Sequence, residues 1–221
     1  MSVTDIEYHA MTVTAVTTIG RMSRWQPNAR GRLRQAALEL YGEHGFEQTT
    51  VAQIAQRAGL TERTFYRHFS DKREVVFAGE VHRVLVSTLA DAPAPMSAIE
   101  AVTEGLLAAG SVLDERREMT RRRQAVIAAN PALQQHEQIK YATIVADLAE
   151  ALRERGVEPS SARLAAEAGV VVFRTAFERW IDEDERRDFG RLVRETLDGL
   201  AAVLAGEGEG RNANTSQHPP V

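Results

Sequence analysis

Cysteine is absent from the 221-residue chain, which excludes disulfides, a thiol nucleophile and a thiolate metal site. Aromatic residues are scarce at 6%, and proline and glycine are thin on the ground ahead of the C-terminal tail. That poverty disfavours strands linked by tight turns and favours helices rich in Ala and Leu. No apolar run approaches the roughly 20 residues that cross a bilayer, so no membrane association is expected. The first twenty residues carry Asp5 and Glu7 but no Lys or Arg, and so lack the basic start of a signal peptide. A cytoplasmic setting fits these absences. Catalytic signatures are missing as well. The six His fall in no HExxH pattern, and the glycines form no phosphate-binding loop. A non-enzyme with no cofactor and no metal is the expectation.

Negative charge dominates overall, at −4, which by itself argues against a polyanionic partner. The distribution argues otherwise. Residues 21–90 hold eleven Lys and Arg against seven Asp and Glu, net +4, whereas residues 91–221 hold sixteen against twenty-two, net −6. A basic segment on an acidic body is the asymmetry of a nucleic-acid reading head joined to a part with another task.

Helical periodicity and capping signals divide the chain into about nine helices and no defensible strand. Residues 1–27 read as a disordered arm, and Arg21, Arg24 and Arg30, around the start of the first helix, are placed to follow a DNA backbone or enter a minor groove. Leu33, Ala36, Ala37, Leu40 and Tyr41 mark the buried stripe of a first helix ended by Gly45. Thr50 and Gln53 have the spacing of a capping box, and Val51, Ile54, Ala55 and Ala58 then share one face up to Gly59. Thr61 caps a third helix with Phe65 and Phe69 inward. Ser70 is read as the cap of a fourth helix that carries Val75, Val76, Val84 and Leu85 and ends before Pro93. Ser97 and Glu100 form a second capping box, and Asn130-Pro131 opens a long seventh helix. Pro159-Ser160-Ser161 opens the eighth, with Ser160 and Ser161 read as caps, and the acidic turn Asp182-Glu183-Asp184 leads into the ninth. Residues 206–221 read as a flexible tail.

The third helix is short, and outside Phe65 and Phe69 it offers Thr61, Arg63, Thr64, Tyr66, Arg67 and His68, all donors or cations. Two short helices with such an exterior are a helix-turn-helix, whose second helix enters the major groove. The residues Gly45-Phe46, Thr49-Thr50-Val51, Ile54-Ala55, Ala58-Gly59-Leu60, Thr64-Phe65-Tyr66-Arg67-His68-Phe69 and Asp71-Lys72 resemble the tetracycline-repressor (TetR) family of bacterial transcription regulators. The resemblance covers residues 28–80. It implies an all-α fold: an N-terminal three-helix reading head, residues 28–72, and a helical ligand-binding and dimerisation domain, residues 73–205. It also implies backbone phosphate contacts from Thr49 or Thr50, Tyr66, His68 and Lys72. Base readout would fall to Thr61, Arg63, Thr64 and Arg67, where an Arg pairs bidentately with guanine.

One such head reads too few base pairs to be selective, so a homodimer on a palindromic double-stranded operator is expected. Val170, Phe173, Phe177 and Trp180 on the eighth helix, with Val193, Leu197 and Leu200 on the ninth, are the expected dimer surface. Leu164, Ala168, Val171, Val172 and Thr175 lie opposite, toward the subunit's own core. The middle helices are expected to enclose a small-molecule effector among Leu106, Leu113, Arg122, Ile127, Tyr141 and Ile144. The cluster Arg116, Arg117, Arg121, Arg122 and Arg123 suits phosphate or carboxylate, or a solvated face. The segment from there to Phe177-Glu178-Arg179-Trp180 is loosely similar to regulators with an acyl-CoA-like ligand domain. The resulting expectation is a repressor released by an apolar or amphipathic effector, possible acyl compounds included. The alternative is a ligand-independent regulator or activator whose second domain only dimerises.

Overall fold

The computed structural model describes residues 28–77, 79–182 and 184–206. The arm with Arg21 and Arg24, the tail from residue 207 and Glu183 lie outside the described residues. Among the described residues there are nine helices: α1 (Ala29–His44), α2 (Val51–Arg57), α3 (Glu62–His68), α4 (Glu80–Asp91), α5 (Ala98–Asp114), α6 (Arg117–Ala128), α7 (Pro131–Glu154), α8 (Pro159–Ile181) and α9 (Phe189–Leu204).

Side chains at the helix starts satisfy backbone N–H groups that would otherwise have no partner. Asn28 caps α1 and accepts from the Gly31 N–H at 2.9 Å. Thr50 and Gln53 form a reciprocal box at α2, as Ser97 and Glu100 do at α5. Asn130 caps α7 with Pro131 in the first turn. Two expectations fail here. The fourth helix starts at Glu80, not Ser70, because the Asp71 carboxylate accepts from the Arg73 and Glu74 N–H groups and holds that stretch in turns. Glu158, rather than Ser160 or Ser161, caps α8, taking the Ser161 N–H at 2.9 Å.

The helices close two apolar cores. The first packs Leu33, Ala37, Leu40, Ile54, Phe65, Phe69, Val75 and Val76, and it is completed by Ile127 of α6 and Leu133 of α7. Ile127 is therefore core of the reading head, which corrects its expected place at a ligand cavity. The second core joins α4, α5, α7, α8 and α9 through Leu89, Leu106, Leu148, Leu152, Val172, Trp180, Phe189 and Leu192, all essentially sealed from solvent. Gly105 and Gly169 let backbones approach closely there. A Cβ at Gly105 would stand 2.7 Å from the Leu85 carbonyl oxygen, and one at Gly169 would stand 2.4 Å from a Val102 methyl.

The two apolar faces of α8 largely reverse the expectation, although Val172 lies in the subunit's own core as expected. Val170, Phe177 and Trp180 are buried in the subunit's own core, with Phe173 packed against it. Leu164 is 70% exposed and Val171 54% exposed. Trp180 is fixed by its indole N–H, which donates to Asp114 at 2.8 Å, and by the Arg117 guanidinium 4.8 Å over its ring. On α9, Val193 is fully buried, Leu197 and Leu200 are half-buried, and Val203 and Leu204 are exposed.

Candidate nucleic-acid interface and effector cavity

The α2–α3 pair is set by its turn and its two Phe. Gly59 takes φ +63°, a left-handed conformation that a side chain resists, and this turns the chain out of α2. Phe65 and Phe69 are then drawn inward, which leaves Tyr66 56% exposed with Arg63 and Arg67 beside it. Among the described residues neither guanidinium has an acceptor, because Asp71 pairs with Arg73 at 2.9 Å and leaves Arg67 free. Thr61 caps α3 by accepting from the Thr64 N–H, and the two hydroxyls lie 3.0 Å apart. His68 is half-buried with its Nε2 sealed and unpartnered.

Two residues of the expected contact set have other work. Thr49 is 1% exposed, and its hydroxyl donates to the carbonyls of Gly45 at 2.8 Å and Leu40 at 3.3 Å. Its side chain cannot meet a phosphate, whereas Thr50 is exposed at the start of α2. Lys72 lies in the turn before α4, not in its first turn. Its ammonium donates to the carbonyls of Phe46, Glu47 and Thr49 at 2.8, 3.2 and 3.2 Å and sits 4.3 Å over the Phe46 ring. All three of its donors are used within the fold. The Tyr41 hydroxyl completes this knot by donating to the Lys72 carbonyl at 2.7 Å. Burial, and then the nearby Asp71 charge, push the Tyr41 phenol well above its ordinary range.

A cavity of about 250 Å³ lies where the reading head meets the helical body. Leu113, Tyr141 and Ile144 line it as expected, whereas Leu106 lines a separate neighbouring void of about 20 Å³. Arg122 does not reach it. That side chain is exposed and pairs with Glu118 at 3.0 Å. Of the arginine cluster, Arg123 faces the cavity, donating to Glu137 at 3.3 Å and to the Val76 carbonyl at 2.9 Å. Arg117 and Arg121 instead hold carbonyls at the end of α8 and in the following turn. Sequence reasoning missed Arg30 and Arg34 of α1, His82 of α4, and Phe173 and Phe177 as lining. The available signal was the Arg30/Arg34 pair, four apart beside the apolar stripe of α1. Burial is the main cause that pushes the Tyr141 phenol up to about 12, with the Glu137 charge second. Burial likewise lowers the basicity of Arg34, assisted by the cations Arg123 and Arg116 and opposed by Glu80.

The match to known families follows this division. The model for "Bacterial regulatory proteins, tetR family" covers residues 33–78, and that for the "MftR C-terminal domain" covers residues 96–205. The chain belongs to the TetR family of bacterial regulatory proteins. It is 34% identical over 86 residues to the HTH-type transcriptional regulator TcmR of Streptomyces glaucescens, covering 38% of each chain. It is 27% identical over 124 residues to the putative mycofactocin biosynthesis transcriptional regulator MftR of Mycobacterium tuberculosis, covering 55% of this chain and 63% of that one. The alignments thus span less than two thirds of these relatives' own lengths. Among solved structures, the fold is shared with NalD of Pseudomonas aeruginosa at TM-score 0.53 and 20% identity, over 79% of this chain and 95% of that one. No helix among the described residues is long and apolar enough to cross a membrane.

Proposed function

We propose that this chain is a homodimeric transcriptional repressor, released from a palindromic operator by a small molecule bound in the cavity between head and body. The observation that carries this reading is the outward face of α3, where Tyr66, Arg63 and Arg67 stand exposed on a basic head and neither guanidinium has an acceptor among the described residues. A side chain in solvent with no partner is free to exchange water for phosphate and base edges. Thr50, Thr61, Thr64 and His68 complete the contact set; Thr49 and Lys72 support it from behind. TcmR and MftR are named transcriptional regulators and NalD a repressor, in line with this role.

Two heads are placed on successive half-sites, roughly 34 Å apart, by pairing of the outer faces of α8 and α9. Leu164, Val171 and Thr175 stand exposed along one stripe of α8 with Ala168 half-buried between them, and Val203 and Leu204 extend it on α9. Leu197 and Leu200, half-buried in one subunit, supply the rest. The effector need only bind the released arrangement more tightly than the operator-bound one, because differential affinity alone shifts the equilibrium. The cavity between α4, α7 and α8 favours this over a domain that only dimerises. The test is an electrophoretic mobility shift on the promoter beside the protein's own gene. A shifted complex that weakens as salt rises is expected. Equal affinity for that promoter and for random duplex DNA would overturn the reading.

A further inference from the structure

We propose that the cavity takes an anionic amphiphile, whose apolar chain lies against Leu113, Ile144, Phe173 and Phe177 and whose acidic head group is held by Arg34, a residue of the DNA-reading head. This rests on the effector reading above and names the ligand class for that same site.

The cavity has two chemically distinct ends. One end is apolar, and across Ile144 and Phe173 lies a separate void of about 20 Å³ lined by Leu85, Leu106 and Val170. The cavity mouth carries four permanent cations, Arg30, Arg34, Arg123 and Lys140, against two carboxylates, Glu74 and Glu137. Both carboxylates are already committed. Glu137 accepts from Arg123 at 3.3 Å, and Glu74 lies 3.0 Å from the Lys140 ammonium and 3.4 Å from His136. His82, also at the mouth, is paired with Asp147 at 2.9 Å. Arg30 lies 5.4 Å over the Phe69 ring. Arg34 has no hydrogen-bond acceptor among the described residues and its Nε is sealed from solvent, while Glu80, the carboxylate whose charge bears on it, is already held by Arg116. An unpaired, partly desolvated cation is costly, so the native arrangement is expected to provide it with an anion. A guanidinium fork matches a carboxylate or a phosphate. A neutral ligand would strip Arg34 further of water, and a cationic one would be repelled.

Beyond the mouth the same two α1 arginines border an outer groove of about 480 Å³ that also includes Arg32, Arg83 and Arg116. Arg116 is tied to Glu80 and Arg32 to the Ala58 carbonyl, whereas Arg83 has no acidic partner among the described residues. A head group larger than a carboxylate therefore has cations to reach. The site also links chemistry to regulation. Arg34 sits on α1, beside Leu33 of the head core, so an anion bound there pulls on the head itself.

Calorimetric titration of the full chain without DNA tests this, using decanoate, decyl phosphate, decanol and decyltrimethylammonium as probes. Both anions are expected to bind roughly tenfold or more tightly than decanol, and the cation not at all. Arg34→Gln should erase the anions' advantage and leave decanol within about twofold of its original affinity, while Arg34→Lys should restore part of the advantage. Decanoyl coenzyme A separates two sources of the same chemistry. Binding tighter than decanoate and weakened by Arg83→Gln identifies a phosphate-bearing conjugate that reaches the outer groove; weaker binding identifies a free acid. Equal binding of decanol and decanoate, or an Arg34→Gln protein that treats all probes as before, overturns the proposal. Release of the operator by decanol in that case would leave the effector reading standing. Failure of every probe to bind overturns the anion proposal too, and operator release by some uncharged compound would again rescue the broader reading alone.

Discussion

Single residues decide what the head can touch. Arg63 projects from α3 with no acceptor among the described residues, and the exposed Tyr66 meets Phe65 edge-on with ring centroids 5.4 Å apart, so their loss is expected to act on operator binding far more than on folding. Arg63→Ala should weaken operator affinity by about 1–3 kcal/mol and relax discrimination at one base pair. Tyr66→Ala should weaken all sequences alike; competition shift assays with single-base operator variants distinguish the two. Both residues were legible in the sequence, since a short helix with two inward Phe leaves few places for its polar side chains. Thr49 and Lys72 were not. A Thr beside a capping Thr, and a Lys after a turn, look equally fit for phosphate. Only the packing reveals that one hydroxyl is spent on the Gly45 and Leu40 carbonyls and one ammonium on the loop from Phe46 to Thr49.

At the scale of the helix, caps were easier to foresee than faces. Thr50-Gln53 and Ser97-Glu100 announce α2 and α5 because the reciprocal bonds need only local spacing. Glu158 was hidden behind Pro159-Ser160-Ser161, where serines are the commoner caps. Its carboxyl is pulled down to about 2, first by the Ser160 hydroxyl and then by the N–H groups of Ser160 and Ser161. A depressed carboxyl contributes stability that is present above its unfolded value, near 4.5, and lost as pH falls toward 2. Glu158→Gln should therefore lower the melting temperature at neutral pH, with a deficit that shrinks as pH falls across that window; thermal scans of both proteins at several pH values would show it. The faces of α8 could not be ranked from periodicity, since both stripes are apolar. Size resolves the choice afterwards: Phe177 and Trp180 fill the subunit's centre against Phe189, with ring centroids 5.9 and 6.0 Å apart along the series. Leu164→Arg with Val171→Arg should give a folded monomer by light scattering, with unchanged helical content. A double variant that stays dimeric would place the interface elsewhere.

Across the whole molecule, the two-part plan was legible from the charge split and the helix-turn-helix residues. The joint between the parts was not. Pairing of Ile127 and Leu133 with the head depends on a fold-back of more than fifty residues, which no local pattern reports. Ile127→Ala, although it lies in α6, should cost roughly 2–5 kcal/mol by leaving a hole in the core that it shares with Val75 and Val76. Urea unfolding would measure the loss, and early proteolytic cuts between α2 and α3 would locate it in the head. Cuts confined to α8 and α9 would contradict that assignment.

That joint also limits how modular the protein is. A head severed after residue 72, or anywhere before α6, would present to water the apolar surface that Ile127 and Leu133 normally cover. Chimaeras that move this reading head onto another regulator's body should stay soluble only when the α6–α7 corner travels with it. The portable unit is thus discontinuous in the chain, and a swap planned along the linear boundary would exchange a packed core without its lid.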